Sequence, residues 1–391
     1  MIKKHVIKWL FGAMVITLPA TFAACEKDNN AVSGAGVDDQ YKAILNEYVE
    51  STVAPTYKSL AEAALEMRTA NAALKNGQSQ AAIEAAAGAW MKARVFWEKS
   101  EAFLFGPVGP DGFDIDGHID SWPLEKSEID QVLATDAAGL TGEIAWGTLD
   151  AEVIGFHVTE YLLFRDGKAR ASLTDAELKY LTAATDALVW DCVLAYVAWV
   201  GEENVSAEIG SVFRENPEVV AALSNKSSFK NFASMLKNAT GNYEGHLPAA
   251  VSEISNGAAD IAGEVGETKI AEPFASGAVE NVESWYSWHS LDDYGNNIIS
   301  IKNAYYGGID RITPHSNSLS AFVASKNAKL DEDIKNKIED CLTKIAAIGN
   351  GGKSFYEVVR DHSNEAEVDA AVDACAELEA LLASVETGII L

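Results

Sequence analysis

The chain has 391 residues and is short of cysteine, proline and base: 4 Cys, 9 Pro, and 30 Lys plus Arg against 58 Asp plus Glu, for a net charge of −28. Apart from Cys25, only Cys192, Cys341 and Cys375 remain, which excludes a disulfide framework. A single bridge between Cys341 and Cys375, across neighbouring helices, is the one pairing left open. Scarce proline and the lack of alternating apolar and polar runs exclude a sheet-rich fold. The deficit of base sets the chain against phosphate backbones and anionic head groups, so nucleic acid is excluded as a partner. The same charge favours cations, and it would also serve solubility alone. After the first apolar run, at the N-terminus, no second one reads as long enough to span a bilayer.

That first run has a distinct order. Lys3, Lys4 and Lys8 form a basic start, Trp9 to Leu18 is mostly apolar, and Ala20, Ala23 and Ala24 lead into Cys25. This is the pattern of a secretory signal peptide over 1–24. Phe22-Ala23-Ala24-Cys25 is similar to the lipobox, in which cleavage precedes a cysteine that is then acylated. The alternative is an ordinary leader that leaves Cys25 a free thiol. Residues 25–36 are polar and read as a flexible tether. With Cys25 acylated, the protein is expected at the cell envelope, anchored in a lipid membrane. The acidic Glu26-Lys27-Asp28 favours the outer membrane, on its periplasmic or surface face.

Behind the tether almost every segment reads as helix. Hydrophobic content of 48% is ample for a core, and the length suggests two units, an N-terminal bundle over 37–205 and a C-terminal one over 206–391. The fold expected is all-α, two antiparallel helical bundles with a cleft at their junction. Helices are expected at 37–53, closing near Pro55, at 56–75 and at 79–105. A Gly-, Asp- and Pro-rich loop over 106–123 follows, and a loop of that length inside a helical protein is often functional. Thr174 and Glu177 form a capping box for a helix running past Trp199.

Three groups of residues suggest chemistry. Trp90, Arg94, Trp97 and Glu101 share one helix face, with Glu98 beside them. Buried acids and an arginine need partners or a cation, although an Arg94–Glu98 surface pair would account for them as well. His157 and Glu160, three apart, point the same way and make half of a workable metal site. Gly155 beside them costs helix stability, which suggests close packing there. His157 could equally be a satisfied interfacial histidine. Asp120 and Trp122 lie in the 106–123 loop, whose acids could be simple turn residues. Ser290 and Asn297 lie in an aromatic-rich segment where Ser290 could cap a helix.

Taken in order, Trp97-Glu98-x-x-Glu101, Phe105-Gly106-Pro107, Asp120-Ser121-Trp122-Pro123, Gly155-x-His157-x-x-Glu160 and Asn303-x-Tyr305-x-Gly307 resemble the imelysin family, whose signature is GxHxxE. The resemblance implies two related helical bundles with the site at their junction. It implies either a metallopeptidase, with Glu160 as catalytic base, or a lipoprotein of bacterial iron uptake working with other envelope proteins. There is no H-E-x-x-H motif. One imidazole with several carboxylates suits iron better than tetrahedral zinc, though zinc is possible. The reading favoured is binding of iron or a small iron-bearing ligand. The metal residues would be His157, Glu160, Glu101, Glu98 and Asp120. Arg94, Trp97, Trp122, Ser290 and Asn297 would bind ligand. A non-catalytic interaction module is the remaining class.

Overall fold

The computed structural model describes residues 35–391. The leader, Cys25 and the tether as far as residue 34 lie outside the described residues. Among those described, the fold is helical except for a two-stranded hairpin, Phe164–Arg165 with Lys168–Ala169. Nine of the helices frame the site: α1 (Ala35–Tyr48), α2 (Ala54–Ala73), α3 (Gln80–Glu98), α4 (Gly155–Leu163), α5 (Asp175–Val200), α6 (Leu247–Glu264), α7 (Ser290–Tyr306), α8 (Ala328–Ile348) and α9 (Glu365–Val385). Helices α2 to α5 pack together as one group and α6 to α9 as another. Helix α1 crosses over to lie on α6, and Tyr41 donates to the Ile390 carbonyl. The two groups meet along α3 and α7.

Pro55 does not close the first helix. Proline removes one N–H and crowds the carbonyl four residues back. The chain widens into a π turn at Val49–Val53 and continues as α2. The Ser51 carbonyl, which Pro55 cannot bond, accepts the Ile309 N–H at 3.2 Å. The same device recurs at Val265–Ala271, just before Pro273, and that turn carries Lys269 into the interior.

Helix α3 stops sooner than its periodicity implies. The Ser100 hydroxyl donates to the Trp97 carbonyl at 2.6 Å, a local bond that competes with the helix. A tighter turn, Glu101–Phe103, follows. Glu101 is therefore not on a continuous helix face with Trp97, yet it is buried. Helix α7 begins at Ser290, whose hydroxyl donates to the Glu283 carbonyl instead of capping.

Helix α5 starts at the Thr174–Glu177 capping box and ends at Gly201, with φ +90°. By length and composition it could cross a membrane, contrary to the sequence reading, but 89% of its most apolar window is buried inside the fold. Nearly all its faces are apolar because protein surrounds it. Cys341 and Cys375, on α8 and α9, are buried free thiols, the first hydrogen-bonded to the second.

The first group's core closes around Trp199. Its ring meets Phe232 edge-on at 4.9 Å and Phe105 at 5.7 Å, and stacks on Tyr57 at 6.1 Å. Gly106 turns there with φ +62°, and a Cβ on it would come within 2.4 Å of the Phe232 ring. Trp199→Ala is expected to cost about 3–5 kcal/mol through lost burial and the cavity left behind. The measurement is the urea midpoint with the slope unchanged.

Candidate functional site

The site begins with Gly155. It opens α4 rather than lying within a helix, with φ +77°, and a Cβ there would fall 2.3 Å from the Ile119 carbonyl oxygen. That close approach brings the end of the 106–123 loop against α4. It sets Asp120 beside His157, with His157 Nε2 2.9 Å from Asp120 Oδ1. On the ring's other side, Nδ1 lies 3.3 Å from Glu160 Oε2. Glu160 Oε1 accepts the Ser287 backbone N–H at 2.7 Å. The α4 helix thus carries the imidazole, and the segment before α7 fixes the carboxylate behind it.

Arg94 on α3 is the hub. Its guanidinium pairs with Glu98, Asp120, Glu283 and Asp293, the last at 3.3 Å. Trp97 Nε1 donates to Asp120 Oδ2 at 2.6 Å. Asn297 donates to Glu98, and Ser284 to Asp293. Lys269 lies 3.3 Å from Glu283 Oε1 and 3.7 Å from Glu264 at the outer edge. Its ammonium sits 5.2 Å above the ring of the half-buried Trp122, which is in turn 5.8 Å from His157.

Every residue expected from the sequence at this site is brought to one place, although Trp122 stays at the margin and Ser290 acts only through a backbone carbonyl. Arg94 does more than orient one carboxylate. Sequence reasoning missed Glu283 and Lys269, and it did not single out Asp293. Glu283 adjoins the aromatic segment singled out, so its signal was an acid next to buried aromatics. Lys269 had no signal beyond Pro273 four residues later.

Electrostatics follow from the crowding. Glu98, Glu101, Asp120, Glu160, Glu283 and Asp293 are all buried, with Arg94, Lys269 and His157 among them. Burial pushes Glu98 and Glu101 well above the usual carboxylate range. Burial also raises Asp293 to about 6, against the pull of Arg94, and raises Asp116 at the edge to about 7. Burial opposes ionisation of Asp120 too, but Arg94 and His157 hold it well below its ordinary value. Burial alone would lower His157; the carboxylates of Asp120 and Glu160 on either side of its ring reverse this and bring it to about 9. For Lys269, the surrounding carboxylates likewise outweigh burial and raise its pKa.

Besides Glu98 Oε1, which is ion-paired with Arg94, two carboxylate oxygens, Glu101 Oε1 and Glu283 Oε2, are buried without a hydrogen-bond partner, and His157 Nε2 makes no aligned hydrogen bond with Asp120 despite its proximity. An acceptor left in that state costs about 1–3 kcal/mol. Two trios, Glu98–Glu101–Asp120 and Asp120–His157–Glu283, each place three donor atoms within 4.8 Å of one another. The set offers a cation mostly oxygen donors and one imidazole.

Gly155→Ala is expected to cost about 3 kcal/mol or more, from strain and collision with Ile119, and to disturb the near-ultraviolet circular dichroism of the surrounding tryptophans. A second expectation concerns pH. His157, raised from 6.5, contributes stability that is complete below pH 6.5 and lost as pH rises through about 9. Asp293 and Asp116, raised from 3.8, contribute stability that is complete below pH 3.8 and lost as pH rises through about 6 and 7. The three share one sign. Metal-free protein should therefore melt at a lower temperature at pH 9 than at pH 6, measured by calorimetry with chelator present.

The family model of imelysin, Peptidase_M75, matches residues 53–382. Iron-regulated protein A of Synechococcus elongatus is 28% identical over 260 residues, covering 66% of this chain and 63% of that protein's length. The chain thus spans less than two thirds of this curated relative. A crystal structure from Parabacteroides distasonis, described as an iron-regulated protein A precursor, is 30% identical, with TM-score 0.76 over 90% of this chain and 95% of that one. An imelysin-like protein from Psychrobacter arcticum, 14% identical, shares the fold over 88% of this chain and 93% of that chain, with TM-score 0.59. With the family model spanning most of its length, and the signature residues gathered around one buried arginine, the chain belongs to the imelysin family.

Proposed function

We propose that this protein is a lipid-anchored envelope protein that captures iron, or a small iron-bearing ligand, at the polar junction of its two bundles. The observation that carries the reading is the pair of buried, unpartnered oxygens, Glu101 Oε1 and Glu283 Oε2, beside His157 and Asp120. Oxygen donors with a single imidazole suit iron better than a tetrahedral zinc site. The relatives named for iron regulation support the same direction. The lipobox-like residues ending at Cys25 support an envelope location, where iron is met before import.

His157, Glu98, Glu101, Asp120 and Glu283 would hold the cation, whose charge offsets the excess of buried carboxylate. Arg94 keeps Asp120 ionised and aims both Asp120 and Glu98 inward. Glu160 orients the imidazole through Nδ1. Both its oxygens are engaged, by Ser287 and His157, which weighs against a free general base and so against peptidase chemistry. Trp122 stands at the outer margin, and the buried Lys269 pairs with Glu283.

The test is a titration of metal-free full-length protein with ferrous, ferric and zinc ions, read by calorimetry and melting temperature. Iron should bind with release of protons from His157 and the raised carboxyls, so affinity increases with pH. Glu101→Gln and His157→Ala should each weaken it about tenfold or more. Equal binding by wild type and both variants would defeat the reading. Cleavage of casein that stops with chelator and in Glu160→Gln would replace it with the peptidase.

A further inference from the structure

Beside the buried cluster lies a cavity of about 410 Å³, within the roughly 300–1,000 Å³ of small-molecule sites. Its walls are largely aromatic: Tyr161, Tyr286 and Trp285, with Pro123 and Leu124. Tyr161 and Tyr286 meet edge-on at 5.1 Å, and Trp285 stacks on Tyr286 at 4.0 Å. The Arg165 guanidinium lies 4.5 Å over Tyr161 and 5.5 Å from the Tyr286 centroid. Among the described residues no carboxylate pairs with Arg165, in a chain whose net charge is −28. The other cation of the lining, Lys126, is paired with Asp130, and the lining acid, Glu280, is exposed. A guanidinium stacked on aromatic faces keeps its N–H edges free for a planar anion.

We propose that this cavity binds a planar aromatic anion, its ring against Tyr161, Tyr286 and Trp285 and its carboxylate or phenolate oxygens on Arg165. The position gives the site a role. Tyr161 follows Glu160, Tyr286 precedes Ser287, whose N–H holds Glu160, and Pro123 follows Trp122. Three of the walls are thus one residue from the site described above, and a ligand here sits at its threshold. The inference stands without the iron reading, because neither the ring walls nor Arg165 needs metal.

The test is calorimetry on the full chain in chelator, with 2-naphthoate as probe. It should saturate one site. Cyclohexanecarboxylate, an anion without a ring face, should bind about tenfold more weakly or worse, and 2-naphthylmethylamine not at all. Arg165→Gln and Trp285→Leu should each weaken naphthoate about tenfold, whereas Arg165→Lys should recover part of the loss; melting curves verify that each variant is folded. Absence of saturable naphthoate binding would overturn the proposal. So would equal binding of the amine, or full affinity in Arg165→Gln.

Discussion

A guanidinium buried between two helical bundles cannot remain there uncompensated, and much of this structure is arranged around that constraint. Arg94 draws Glu98 from its own helix, Asp120 from the end of the 106–123 loop, and Glu283 and Asp293 from the segment that leads into α7. Removing one partner of such a buried set typically costs about 3–5 kcal/mol. The interaction therefore ties α3, the loop and the second bundle into one body, and it holds Asp120 ionised beside His157. Stability of the junction and chemistry of the site rest on the same contacts.

The compensation is incomplete. Six buried carboxylates face two permanent cations and one imidazole. Burial raises Glu98, Glu101 and Asp293, so protonation takes up part of the excess. A bound cation would take up the rest without protons. On the proposed reading, pH would move the site between a protonated, metal-free form and a deprotonated, metal-bound one. The aromatic cavity with Arg165 lies outside this balance, and it offers positive charge where the interior offers negative.

Several site residues were legible because they repeat at helical spacing. Arg94 and Glu98, four apart, and His157 and Glu160, three apart, needed only the helix to share a face. The break after Glu98 was not legible, because a single serine hydroxyl decides it: Ser100 bonds the Trp97 carbonyl. Pro55 read as a stop, yet the helix survives because the freed Ser51 carbonyl finds the Ile309 N–H, far away in sequence. Lys269 looked like any surface lysine. Only the π turn before Pro273 and the approach of Glu283 make it an interior cation.

By itself, the sequence determined the helical class, through composition and 3.6-residue periodicity, and the ordered motifs that identify the family. It also determined which side chains could not rest easily in a core, since an arginine among tryptophans is costly wherever it folds. Tertiary structure decided which acids answer Arg94, because three of the four come from other segments and no spacing rule connects them. It decided what holds Glu160, whose two oxygens lie on the Ser287 backbone N–H and on the His157 ring. Such partners are fixed only when distant segments pack against one another.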